Sequence, residues 1–68
     1  MDTDTIAATI KKHRKIANLS QLELANLAGI GKTTLFEIEK NNENVSWHNI
    51  RAVLTVLNIK FHLESPLK

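Results

Sequence analysis

The apolar positions of this chain recur mostly at three- and four-residue intervals, the spacing of one helix face. Ile6, Ile10 and Ala17 share such a face and predict a first helix from about Asp4 to Ala17. Asp2, Thr3, Asp4 and Thr5 are its candidate N-caps, and acids there suit the positive end of a helix dipole. Asn18 can close it, because asparagine tolerates positive φ better than most residues. Leu22, Ala25 and Ala28 predict a second helix, about Gln21 to Ala28. Ser20 with Glu23 three residues on forms a capping box at its start, and Gly29 ends it. Gly31 opens a third helix, about Lys32 to Lys40, with Leu35 and Ile38 inward. Asn41, Asn42, Glu43 and Asn44 make a polar turn. Ser46 then caps a fourth helix, Trp47 to Leu57, with Ile50, Val53, Leu54 and Leu57 inward.

The period changes after Asn58. Ile59, Phe61 and Leu63 alternate with Lys60, His62 and Glu64, a strand pattern that Pro66 ends. A lone strand cannot satisfy its own backbone groups. Its simplest partner is the same strand of a second copy, a two-stranded ribbon across a homodimer; a tail lying across the fourth helix is the alternative. The expected organisation is therefore a helical domain over 1–58 and a dimerising strand and tail over 59–68. No internal repeat or linker interrupts it.

Helices two and three, joined by the tight turn at Gly29–Gly31, follow the grammar of a DNA-binding helix-turn-helix. Ala25 is the small residue that a steep helix crossing needs. The residues LSQLELANLAGI, followed by Leu35, Ile38 and Glu39 in register, resemble the signature of the lambdoid repressor and Cro type (XRE family), from about Ile10 to Ile59. The resemblance implies an all-α, four- to five-helix lambda-repressor-like domain. Within that family the chain most resembles the small HipB-like antitoxins, on its size and its tail NIKFHLESPLK. Those proteins use a C-terminal strand in their dimer, which favours the ribbon.

Candidate DNA contacts follow from helix phase. In the third helix Lys32, Thr33, Phe36 and Glu37 point away from Leu35 and Ile38 and are the candidate base contacts. Lys32 can donate to guanine acceptors or to phosphate, and Thr33 can reach a base edge or a thymine methyl. Phe36 either packs on thymine methyls or a partner, or turns into the core. Thr34 faces phosphate or solvent. Gln21 matches the family position that binds a backbone phosphate. Ser20 either shares that role or only caps. Asn41, with Asn42 and Asn44, can reach phosphate or simply form a polar turn. Lys11 and Lys15 are candidate phosphate contacts from the first helix, where Lys12, His13 and Arg14 also cluster. The family often pairs the matching arginine and glutamate, which assigns Arg14 and Glu39 to a structural salt bridge. Trp47 covers a dimer seam or a toxin surface, or staples the fourth helix to the core.

Composition narrows the classes. With 68 residues and three aromatics the core is small, and such domains often gain stability by dimerising. The net charge of +2 and a pI near 9.2 are compatible with nucleic acid without arguing for it. The chain has no cysteine, which rules out disulfides and thiolate metal sites. No apolar run approaches a membrane span of about 20 residues, and the acidic start is not a signal peptide. A cytoplasmic, nucleoid-associated location is expected. GIGKTT mimics the end of a phosphate-binding loop, but Asn26 stands where that motif needs its first glycine. His13, His48 and His62 are not at metal spacing, and no catalytic set is apparent, so no metal, cofactor or enzymatic activity is expected.

The reading is a dimeric repressor on a palindromic double-stranded operator. As a HipB-like antitoxin it would also bind and neutralise a HipA-like serine/threonine kinase toxin. The alternatives are a stand-alone phage- or plasmid-type repressor and a protein-interaction module that does not bind DNA.

Overall fold

The computed structural model describes residues 3–59, with side chains from Ile6 onward. Four helices follow in order: α1 (Thr3–Ile16), α2 (Gln21–Ala28), α3 (Lys32–Glu39) and α4 (Trp47–Val56). They lie within a residue of the expected bounds. The candidate N-caps before α1 and the strand positions Lys60 to Glu64 lie outside the described residues, or outside those whose side chains are described. The intersubunit ribbon expected at Phe61 and Leu63 falls on those positions.

Local chemistry places the helix starts. The Ser20 hydroxyl accepts from the Glu23 amide at 3.0 Å, and the Glu23 carboxylate accepts from the Ser20 amide at 2.8 Å. Those bonds hold the Glu23 carboxyl below the ordinary glutamate range, the Ser20 backbone amide contributing most. The Ser46 hydroxyl accepts from the Asn49 amide at 3.3 Å and caps α4.

All four helices end in the same way. Asn18, Gly29, Asn41 and Asn58 take left-handed φ values of 61°, 72°, 64° and 59°. The residue after each donates its amide back to the carbonyl five positions earlier. These bonds run from Leu19 to Arg14, Ile30 to Ala25, Asn42 to Glu37 and Ile59 to Leu54, at 2.9 to 3.0 Å. The left-handed residue itself donates its amide to the carbonyl three positions back, and the two bonds together satisfy carbonyls that a helix end otherwise leaves open. Three of the four sites use asparagine and one uses glycine.

A Cβ built on Gly29 meets no atom within 4 Å. Replacing it with alanine therefore tests backbone strain alone. Gly29→Ala is expected to cost about 1 kcal/mol, read as a lower urea midpoint with an unchanged slope.

The core is Ile10, Leu24, Ala25, Leu35, Ile38, Val53 and Leu54, with Ile6, Ile50 and Leu57 packed against it. α2 is the central element, packing on both α3 and α4, while α1 packs on α3. Ala25 is fully buried, as a close helix approach requires.

Two expected inward positions are corrected. Leu22 is 53% exposed, and the buried residues of α2 are Leu24 and Ala25. Five of the eight α2 residues are leucine or alanine, so periodicity alone permits more than one inward face. Ala17 is exposed because α1 ends at Ile16 and the chain turns there into the Asn18 closure. The inward line of α1 runs instead through Ala7, Ile10 and Arg14.

Candidate nucleic-acid interface

α3 lies with Leu35 and Ile38 buried and with Lys32, Thr33, Phe36 and Lys40 exposed beside it. At roughly 100° per residue, Thr33 and Lys40 fall opposite the core, with Phe36 and Glu37 flanking them on either side. Lys32, Phe36 and Lys40 follow one another at four-residue spacing. Phe36 is 45% exposed, so the exposed alternative for that ring is the one observed. The Lys40 ammonium sits over that ring, 5.0 Å from its centroid, a cation–π contact that covers one face of an otherwise wet aromatic. The spacing of Phe36 and Lys40 was the available signal for this pair. Glu37 is half-buried and accepts from the Asn42 side-chain amide at 2.7 Å.

Behind that face lies an ion pair. Arg14 Nε donates to Glu39 Oε2 at 2.7 Å, and a second guanidinium nitrogen donates to Oε1 at 3.2 Å. The remaining guanidinium nitrogen donates to the Leu19 carbonyl at 2.9 Å. Gln21 Nε2 also donates to Glu39 Oε1, at 3.2 Å. The two side chains of the pair are 11% and 4% exposed. The bidentate geometry suits the planar guanidinium and would not survive exchange for lysine. The Glu39 carboxylate thus joins the end of α3 to α1 and to the start of α2, and Arg14 carries the link on to the α1–α2 turn. Arg14 is buried among its basic neighbours and is not presented to solvent.

Gln21 is half-buried, with one amide hydrogen directed to Glu39. The first amides of α2 have no acceptor within the helix, by the geometry of any helix start. The Ser20 hydroxyl spends an acceptor position on the cap and retains its proton to donate. Thr34 is half-buried at the flank of α3. Lys11 and Lys15 are exposed on α1, with Lys12 and His13 beside them. Asn41 is half-buried and lines a hollow of about 330 Å³ with Ile6, Ala7, Ile38 and Val45. Ile59, the first residue assigned to dimerisation, packs on its own chain's core and donates to Leu54. Trp47 is 43% exposed.

Among the described residues no group of three histidine, cysteine, aspartate or glutamate side chains could hold a metal. No helix among them is long and apolar enough to cross a membrane.

What the arrangement can do chemically is limited and clear. A short helix offers a cation, a hydroxyl, an aromatic ring and a carboxylate outward from a braced scaffold. A family model described as helix-turn-helix matches residues 10–63. The chain is also similar to the Control protein C.SmaI of Serratia marcescens, with 29% identity over 55 residues. That match covers 81% of this chain and 66% of the relative, just under two thirds of its length.

Proposed function

The chain belongs to the XRE-type helix-turn-helix family of DNA-binding transcriptional regulators, and from that premise we propose that it is a sequence-specific repressor binding its operator as a homodimer. The observation that carries the reading is the outward face of α3. Lys32, Thr33, Phe36 and Glu37 stand on a helix whose inner side is locked by Leu35, Ile38 and the Arg14–Glu39 pair. Set in a major groove, Lys32 donates to guanine acceptors, Thr33 and Phe36 meet thymine methyls, and Glu37 accepts from cytosine. Gln21, Ser20, Thr34, Lys11, Lys15 and Asn41 hold phosphates and fix the register. With Ile59 held on its own chain's core, Phe61 and Leu63 join two copies, and the two copies read half-sites about 10 bp apart on a palindrome.

A stand-alone regulator fits the similarity to a control protein at least as well as an antitoxin does. The antitoxin reading, with a HipA-like kinase as partner, rests on the resemblance of sequence and tail alone. It is therefore the second reading.

The test is fluorescence anisotropy with DNA from upstream of the chain's own gene, against a shuffled duplex, at two salt concentrations. Neutralising about six phosphates predicts a fall in affinity on the order of a thousand-fold between roughly 50 and 200 mM salt. Tight, salt-sensitive preference for the upstream duplex is the expected result, with light scattering giving two chains per site. Equal, weak binding to both duplexes would overturn the repressor.

A further inference from the structure

Asn42 lies beyond the end of α3 yet is bound to it twice. Its backbone amide donates to the Glu37 carbonyl at 3.0 Å, and its Nδ2 donates to Glu37 Oε1 at 2.7 Å. Its Oδ1 accepts from the Asn44 amide at 2.8 Å. A backbone N–H can only donate, so the oxygen end of the side-chain amide must face Asn44. The amide cannot be turned over without losing both bonds. Its NH2 group is thereby committed to Glu37.

The consequence falls on the outward face. An exposed glutamate ordinarily spreads over several rotamers, and ordering it at the moment of binding costs affinity. Glu37 is half-buried at the flank of the outward face, four residues after Thr33. One of its oxygens is already held, and Oε2 remains to accept. The cytosine edge offers a single amino donor in the major groove, which suits one fixed carboxylate oxygen. Adenine sets an acceptor beside its amino group, and guanine and thymine present acceptors, all of which repel a carboxylate.

We infer that Asn42 is a positioning residue for base readout: it fixes the Glu37 carboxylate, and so gives α3 a preference for cytosine at one place in each half-site. The inference rests on the reading of α3 as the helix that enters the groove. Asn42 itself need touch neither base nor phosphate.

The test is selection by the full chain from a duplex pool randomised across the half-site. It compares the native chain with Glu37→Ala, Asn42→Asp and the double variant. Asn42→Asp keeps the oxygen that accepts from Asn44, so the turn survives. It replaces the donor facing Glu37 with a second carboxylate oxygen. Glu37→Ala is expected to erase one cytosine column, a loss of discrimination of about ten-fold. Asn42→Asp should weaken that same column about three-fold and leave the others unchanged. In the Glu37→Ala background, Asn42→Asp should have no further effect on it. A uniform loss of affinity in Asn42→Asp with the column intact would overturn the inference, since an added charge or a loosened turn acts on all sequences alike. An unchanged pattern in Glu37→Ala would overturn it too. If the native chain enriches no sequence at all, the reading of α3 as the groove helix fails, and the inference with it.

Discussion

Glu39→Ala is expected to destabilise the domain by about 3 kcal/mol, the lower end of the cost of breaking a buried ion pair. The Arg14 side chain is 11% exposed, so some water reaches the stranded cation. Two of its donors and one amide hydrogen of Gln21 lose their acceptor together, and only the Leu19 carbonyl remains for the guanidinium. For a domain of this size the loss corresponds to a drop in melting temperature on the order of 15 °C. DNA binding should fall with it near the new midpoint, because α3 and the start of α2 share that carboxylate. Urea denaturation checks the number, and a loss below about 1 kcal/mol would show the pair to be worth no more than an exposed one. Replacing Arg14 and Glu39 together with leucine is expected to cost less than Glu39→Ala alone. Much of the single-variant cost is a buried charge left without its partner, and the double variant leaves no such charge.

The combined change Lys32→Ala with Thr33→Ala is expected to behave in the opposite way. Both side chains are exposed at the start of α3, and alanine is a good helix former. Stability should stay the same or rise slightly. Affinity for the preferred duplex should fall on the order of thirty-fold through the loss of base-edge and phosphate contacts. Binding to a shuffled duplex should fall less, because only the phosphate component is shared. Anisotropy alongside a melting curve separates the two effects. Unchanged affinity in a folded double variant would sink direct readout by α3 and favour a module that holds a protein partner. Glu39→Ala thus tests the scaffold and the paired alanine change tests the surface, and each has a readout the other leaves alone.

Much of this molecule is local chemistry and was legible as such. Ser20 with Glu23, Ser46, Gly29 and Asn18 act through bonds to backbone groups at most five residues away, so the helix ends can be read from a short window. Leu35 with Ile38, and Val53 with Leu54, mark single apolar stripes, and their helices bury those stripes. The resemblance to lambdoid repressors added the pairing of Arg14 with Glu39, which no local pattern contains: the two are 25 residues apart, and Arg14 sits inside a basic run.

What needed the folded chain was every choice between equivalent faces and every contact between distant elements. α2 is apolar nearly all round, and only its packing against both α3 and α4 made Leu24 a core residue and left Leu22 and Leu27 in water. The resemblance made Gln21 a candidate phosphate ligand. Its bond to Glu39 exists only because α2 and α3 meet. The Asn42 amide, by contrast, lies only five residues from Glu37, and the left-handed closure at Asn41 folds it back onto that side chain without help from another helix. Sequence determines where backbone groups are capped and which helices can bury a stripe, since those energies are settled within a turn or two of chain. Tertiary structure decides which polar side chains are spent on one another and which remain for DNA, because that depends on which surfaces the helices bring together.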